Sequence, residues 1–210
     1  METAENIDIR SKILEAAFGM FCQRGIKSVS MDDIAQHLAM SKKTLYKWFK
    51  NKDQVVYEAL ANYLQFVEKV CQSDVERAGN AIEELFHAME MTKKIFTSIH
   101  PSIFHDLQKY HRDSWALWKQ HKTGYILELI KQNMYRGMKE GLFRQDLDVE
   151  TIARLRLVMI EMPFDAELFP PYEFNIAKVQ KDSLEHYMLG IATLKGHKLI
   201  NEYKHIIEEE

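Results

Sequence analysis

Residues 30–52 read SMDDIAQHLAMSKKTLYKWFKNK, and their spacing predicts two short helices with a tight joint between them. Ser30 can cap the first, with Asp33 three residues on to complete a short capping box. Ile34, Ala35 and Leu38 then share one face. Ser41 can cap the second, where Leu45 and Phe49 point inward together. The opposite face carries Lys42, Lys43, Thr44, Tyr46 and Lys47, and Lys50 and Lys52 follow at once. From Ser41 to Lys52 there are five lysines and no acidic residue. A helix that lies in a DNA major groove needs hydroxyls and amines of this kind, facing base edges and phosphates. An ordinary helical hairpin with a solvated basic face would show the same apolar spacing.

The chain around this stretch sets limits. Its 210 residues carry a net charge of −3, so the chain as a whole is not strongly basic. The charge is unevenly placed: residues 1–55 hold nine lysines and arginines against seven acidic residues, the remainder nineteen against twenty-four. An acidic body behind a locally basic head favours the head as the end that meets DNA. The two cysteines, Cys22 and Cys71, fall in helical patterns and imply neither a disulfide nor a metal site. The first ten residues lack a signal-peptide core, and no apolar run reaches the roughly eighteen residues of a membrane span. The expectation is a cytoplasmic protein with no membrane partner.

Apolar residues recur at three and four rather than two, which predicts an all-α chain. Helices are expected at about 7–24, over the two short elements, at 52–77 (capped by Asn51), 80–99, 101–110, 111–140 and 148–162, then at 174–195 and 197–208, with Gly196 separating the last two. Phe18, Phe21, Ile34, Leu38, Leu45 and Phe49 should form the core of the head. The inner face of 52–77 should be Val56, Leu60, Tyr63, Val67 and Val70, flanked by Ala59 and Phe66. That helix, on the order of 39 Å long, could link head and body. The terminal Glu208–Glu210 reads as a solvated tail.

Other chemistry is sparse. There is no glycine-rich phosphate loop, nucleophile elbow or HExxH. Two Glu-x-x-His spacings occur, Glu84…His87 and Glu202…His205. A di-metal bundle needs both pairs to face inward. In the second, Leu199, Ile200, Tyr203, Ile206 and Ile207 define the buried face and leave His205 outside it. No catalytic residue, metal or cofactor is expected.

The pattern Ser30-Met31-x-Asp33-Ile34-Ala35, then Ser41-x-x-Thr44-Leu45-Tyr46-x-Trp48-Phe49-x-x-Lys52, resembles the TetR family of bacterial transcription regulators. Arg10-x-x-Ile13-Leu14-x-Ala16-Ala17-x-x-x-Phe21-x-x-x-Gly25 resembles that family's first helix. The resemblance covers about sixty residues. It departs at Leu38-Ala39-Met40, where the family usually has Ala-Gly-Val, and at Lys43, often glycine in the family. If residue 39 needs a left-handed backbone, losing the glycine costs about 1 kcal/mol.

The resemblance implies a DNA-binding head, residues 1–51 with the helix-turn-helix at about 30–49, and a ligand-binding and dimerisation domain, 52–210. Ser30, Lys42, Lys43, Thr44, Tyr46, Lys47, Trp48 and Lys52 would contact the operator, with Lys43, Thr44 and Lys47 toward base edges and Tyr46, Trp48 and Lys52 on phosphates. A homodimer through helices 148–162 and 174–195 would read a palindrome in double-stranded DNA. The resemblance implies an effector cavity but not its lining; the dense aromatic and methionine residues of 85–190 suggest a moderately apolar effector among Phe86, Met89, Trp115, Trp118, Tyr125 and Met159. Two other readings stay open: a helical ligand-binding or di-metal enzyme, and a DNA-binding regulator without an effector.

Overall fold

The structure, a computed structural model, describes residues 4–205, with side chains from Ile9 onward. Ile206, Ile207 and the tail Glu208–Glu210 lie outside the described residues. The chain is helical: α1 Ala4–Arg24, α2 Met31–His37, α3 Lys42–Trp48, α4 Lys52–Arg77, α5 Ala81–Ser98, α6 Ile103–Tyr110, α7 Arg112–His121, α8 Leu127–Lys139, α9 Val149–Glu161, α10 Ile176–Ile191 and α11 Leu194–Tyr203. There is no strand among the described residues, only an isolated bridge from Phe143 to Ala192.

The chain packs as two compact units. One runs through Glu68 and takes in Ser98–Gln120; the other comprises Lys69–Thr97 and the chain from His121 on. This packing division differs from a cut at residue 51, because the first half of α4 and all of α6 pack with the head. α4 contributes residues to both units.

In the first unit Ile13, Phe21, Ile34, Leu45 and Phe49 are almost fully buried. Gly25 ends α1 at φ +77°, its N–H donating to the Phe21 carbonyl at 2.9 Å, the left-handed stop that glycine makes without strain. Two residues expected in this core sit at its margin. Leu38 is half-buried. Phe18 is half-buried too and stacks on Tyr63 of α4, ring centroids 4.2 Å apart. On α4 the buried face is Val55, Val56, Ala59, Leu60, Leu64 and Cys71. Tyr63, Val67 and Val70 are only half-buried and Phe66 is 62% exposed, so the inner stripe is rotated from the expected one.

The second unit departs from expectation in two places. The helix expected over 111–140 is interrupted by a π-helical turn, Lys122–Ile126. One such turn adds a residue to the register. The buried positions beyond it are Leu127, Asn133, Met134 and Gly137, while Leu129 and Ile130 are half-buried. The last two helices are divided at Ala192–Thr193, not at Gly196. Thr193 caps α11 by accepting the Gly196 N–H at 3.1 Å. Gly196 lies inside α11, where a Cβ would come within 2.3 Å of the Leu142 carbonyl oxygen, so its role is close approach.

The core of this unit gathers Ala81, Ile82, Leu85 and Met89 of α5, Leu142 and Phe143, Leu184, Tyr187, Met188 and Ile191 of α10, and Ile200 of α11. A second cluster joins Leu127 and Met134 of α8 to Ala153 and Leu157 of α9.

Candidate nucleic-acid interface

The helix pair 31–48 is fixed by its own polar side chains. Ser30 caps α2: the Asp33 N–H donates to Ser30 Oγ at 3.1 Å, and the Ser30 N–H donates back to Asp33 Oδ2 at 2.7 Å. The Ser30 hydroxyl also donates to Asp33 Oδ2 at 2.5 Å, and the two bonds from Ser30 hold that carboxyl below the usual carboxylate range. Ser41 caps α3, accepting the Thr44 N–H at 3.0 Å, with the two hydroxyls 2.8 Å apart. The turn between the helices is closed by Ala39 N–H to Gln36 O (3.1 Å) and Met40 N–H to Ala35 O (2.9 Å). Ala39 takes φ +51°, the left-handed region, at the position where the resembled family carries glycine.

α3 is held from below and open above. Leu45 and Phe49 are 0% and 1% exposed, which anchors its inner side. Arg10 of α1 closes over this anchor, its guanidinium 5.4 Å from the Phe49 ring centroid and paired with Glu58 of α4 at 2.7 Å. Spacing alone did not show this clamp, because its members are forty-eight positions apart.

The eight residues expected at the DNA surface are not equivalent. Lys43 and Lys47 are exposed, with no ion-pair partner among the described residues. Tyr46 is 44% exposed, and Thr44 and Trp48 are half-buried. Lys42 is engaged: its ammonium lies 2.7 Å from Asp32, and that hydrogen bond and charge raise its pKa. Lys52 turns inward and donates to the Ile26 carbonyl at 2.5 Å. Burial lowers its pKa, against the pull of nearby carboxylates. Ser30 is occupied by its capping box. The outward basic surface of α3 is therefore Lys43 and Lys47, with Lys50 just beyond.

The head is also tied to α6 and α7. Asp106 accepts the Lys27 N–H at 3.0 Å and the Ser102 hydroxyl at 3.1 Å. His111 Nδ1 is 2.6 Å from Asp53 at the start of α4. Beside that contact lies an open groove of about 910 Å³, bordered by Lys50, Gln54, Tyr57, Tyr110 and Arg112.

The six residues expected around an effector divide between the units. Trp118 is buried against Phe104, centroids 5.2 Å apart, and Trp115 is half-buried, both in the first unit. Met89, Phe86 and Met159 meet on the core of the second, where Phe86 also stacks on Tyr203 at 5.1 Å. Tyr125 stacks on His121 at 5.3 Å. Of the Glu84…His87 pair, Glu84 accepts from Arg136 at 3.2 Å, and His87 Nδ1 sits 3.3 Å from the Asp74 carbonyl. No group of three His, Cys, Asp or Glu side chains among the described residues could hold a metal.

The profile of the bacterial regulatory proteins of the tetR family matches residues 13–59, which span most of α1, both capped helices and the start of α4. Residues 13–59 are a DNA-binding head of the TetR family. A relative, the HTH-type transcriptional repressor KstR2 of Mycobacterium tuberculosis, is 28% identical over 155 residues, covering 69% of this chain and 74% of that one. Among solved structures, a transcriptional regulator from Saccharomonospora viridis in complex with choline superposes with a TM-score of 0.75 at 19% identity, over 89% of this chain and 99% of that one. The regulator FadR of Bacillus subtilis in complex with stearoyl-CoA gives 0.65 at 17% identity, over 86% and 98%. At these identities the structural likeness is one of fold: a TetR-type head followed by a helical body. No helix among the described residues is long and apolar enough to cross a membrane.

Proposed function

We propose that the chain is a ligand-responsive, cytoplasmic transcriptional repressor that binds a palindromic operator as a homodimer. Residues 1–51 would supply the DNA contacts, and 52–210 the effector site and the dimer interface. The observation that carries the reading is α3: a doubly anchored helix whose outward face is Lys43, Tyr46 and Lys47. Lys43, Thr44 and Lys47 are assigned to base edges; Tyr46, Trp48 and Lys52 to phosphates, Lys52 exchanging the Ile26 carbonyl for a phosphate on binding, with Ser30 and Lys42 at the margin.

One such helix offers too few contacts for tight binding, and a two-fold dimer reading half-sites about 34–36 Å apart supplies the rest. Support for pairing through α9 and α10 comes from Leu155 and Val158, 55% and 63% exposed on α9. Effector response draws support from the relatives of like fold that hold choline and stearoyl-CoA. The continuous α4 would carry the coupling, which needs only about 1–3 kcal/mol of differential affinity between two conformations.

The test is footprinting on the DNA flanking the chain's own gene, over a salt series, with light scattering at micromolar concentration. Protection of a palindrome with steep salt dependence and a dimeric mass is the expected result. A stable monomer, or binding that ignores salt and sequence, would overturn the reading.

A further inference from the structure

The second unit buries a cation that has no counter-charge. Arg156 of α9 is 6% exposed, yet no carboxylate among the described residues pairs with it. Its neighbours on the helix are apolar on both sides: Ala153 and Leu157 belong to one hydrophobic cluster, Ile152 and Met159 pack on the other. The guanidinium lies 5.7 Å from the Tyr187 ring centroid. With the Gln180 amide nitrogen facing the Met159 carbonyl at 3.0 Å, the amide oxygen accepts from Arg156 Nη2 at 3.2 Å. Nη1 has no partner, and neither has the hydroxyl of Tyr187, also 6% exposed. Burial pushes the guanidinium down to about 10 and the phenol up to about 12, so at neutral pH both keep their protons.

A buried guanidinium is costly unless its charge and its N–H groups are met. Here two buried donors, one on a charged group, are left without an acceptor. A carboxylate suits them, since it accepts two parallel bonds from a guanidinium and has lone pairs left for a hydroxyl. A protein surface would not reach groups this deep. The exposed face of α9 is that of Leu155 and Val158, and Arg156 points away from it. We propose that Arg156, Tyr187 and Gln180 form a carboxylate-binding site for a small, otherwise apolar molecule. The proposal rests on the effector-responsive reading above and narrows its effector to an acid whose apolar body packs among residues such as Met159 and Ile152.

Decanoate and 1-naphthoate are suitable probes, with 1-decanol as the uncharged control, titrated calorimetrically into the full chain. At least one acid should bind the wild type saturably, one per chain. Arg156→Met should weaken it tenfold or more and leave decanol unchanged. Without ligand the same variant should melt no lower than the wild type, because it removes an uncompensated charge. Should it fail to fold, Tyr187→Phe, which keeps the ring, should still lose several-fold affinity for the acid. Equal acid binding by wild type and Arg156→Met, or no acid binding at all, overturns the proposal. So does a marked loss of melting temperature in ligand-free Arg156→Met, which would mean that the charge is already satisfied. Operator affinity is measured separately. Acid binding through Arg156 that leaves it unchanged upholds the site and removes the effector reading. Intact operator binding with no acid binding removes only the site.

Discussion

Ala39→Gly should stabilise the protein. An L-residue in the left-handed region costs about 1–2 kcal/mol, and Ala39 sits there at φ +51°. Glycine removes that cost but frees the unfolded chain, giving back about 0.4–1 kcal/mol. Ala39 is exposed, so its methyl group takes little packing with it. The net gain is about 0.5–1 kcal/mol. Urea unfolding followed by far-UV circular dichroism reads it as a higher midpoint at unchanged slope. Gln36→Gly supplies the control. It is an equally exposed position inside α2, where glycine should cost about 0.5–1 kcal/mol. If Ala39→Gly falls with its control, or leaves the midpoint where it was, the left-handed turn is not the conformation in solution. The account of why this joint prefers glycine then fails with it.

Lys43→Ala should cost about 1–3 kcal/mol on the operator and relax base preference, read by titration on wild-type and mutated half-sites. Lys52→Ala should weaken all DNA alike and flatten the salt slope by about one unit, and it should also lower the melting temperature because the Ile26 carbonyl loses its donor. Asp106 is buried, which raises its pKa, but the Lys27 N–H, the Ser102 hydroxyl and His105 outweigh this and leave it lowered. Its stabilisation is therefore present above the unfolded carboxylate pKa of about 3.9 and lost as pH falls through the lower folded value. Asp106→Asn should remove that acid-dependent loss from urea midpoints taken across the acid range. Gly196→Ala should cost about 1–3 kcal/mol in thermal unfolding, since its Cβ would meet the backbone oxygen of Leu142.

What the sequence made legible was local. Both caps of the short helices, Ser30 with Asp33 and Ser41 with Thr44, join residues three apart, and the chain carries them wherever it goes. Asn51 caps α4 for the same reason. The long-range features were not legible. A π-helical turn at Lys122–Ile126 leaves no mark on composition, yet it breaks the α register between α7 and α8. Gly196 read as a break because a glycine in a helix pattern has that meaning most often, whereas here it admits a neighbouring backbone. Nothing in the segment around Arg156 says that Tyr187 and Gln180 lie against it.

The recognition helix shows the same division within a single site. Counting charge from Ser41 to Lys52 treats five lysines as alike. In the structure Asp32, which belongs to the preceding helix, takes Lys42. The Ile26 carbonyl, from the turn before that helix, takes Lys52. Neither partner lies within the counted stretch. Their effect is to leave Lys43 and Lys47 outward on α3 itself while the flanking ammonium groups are tied down. Lys43 stands where the resembled family often has glycine, a residue with no side chain to read a base. An outward lysine there adds an amine suited to guanine O6 and N7 edges. If Lys43 reads a base, operator preference in this chain should depend on a contact that relatives with glycine at that position do not make, and Lys43→Gly should broaden the preference without abolishing binding.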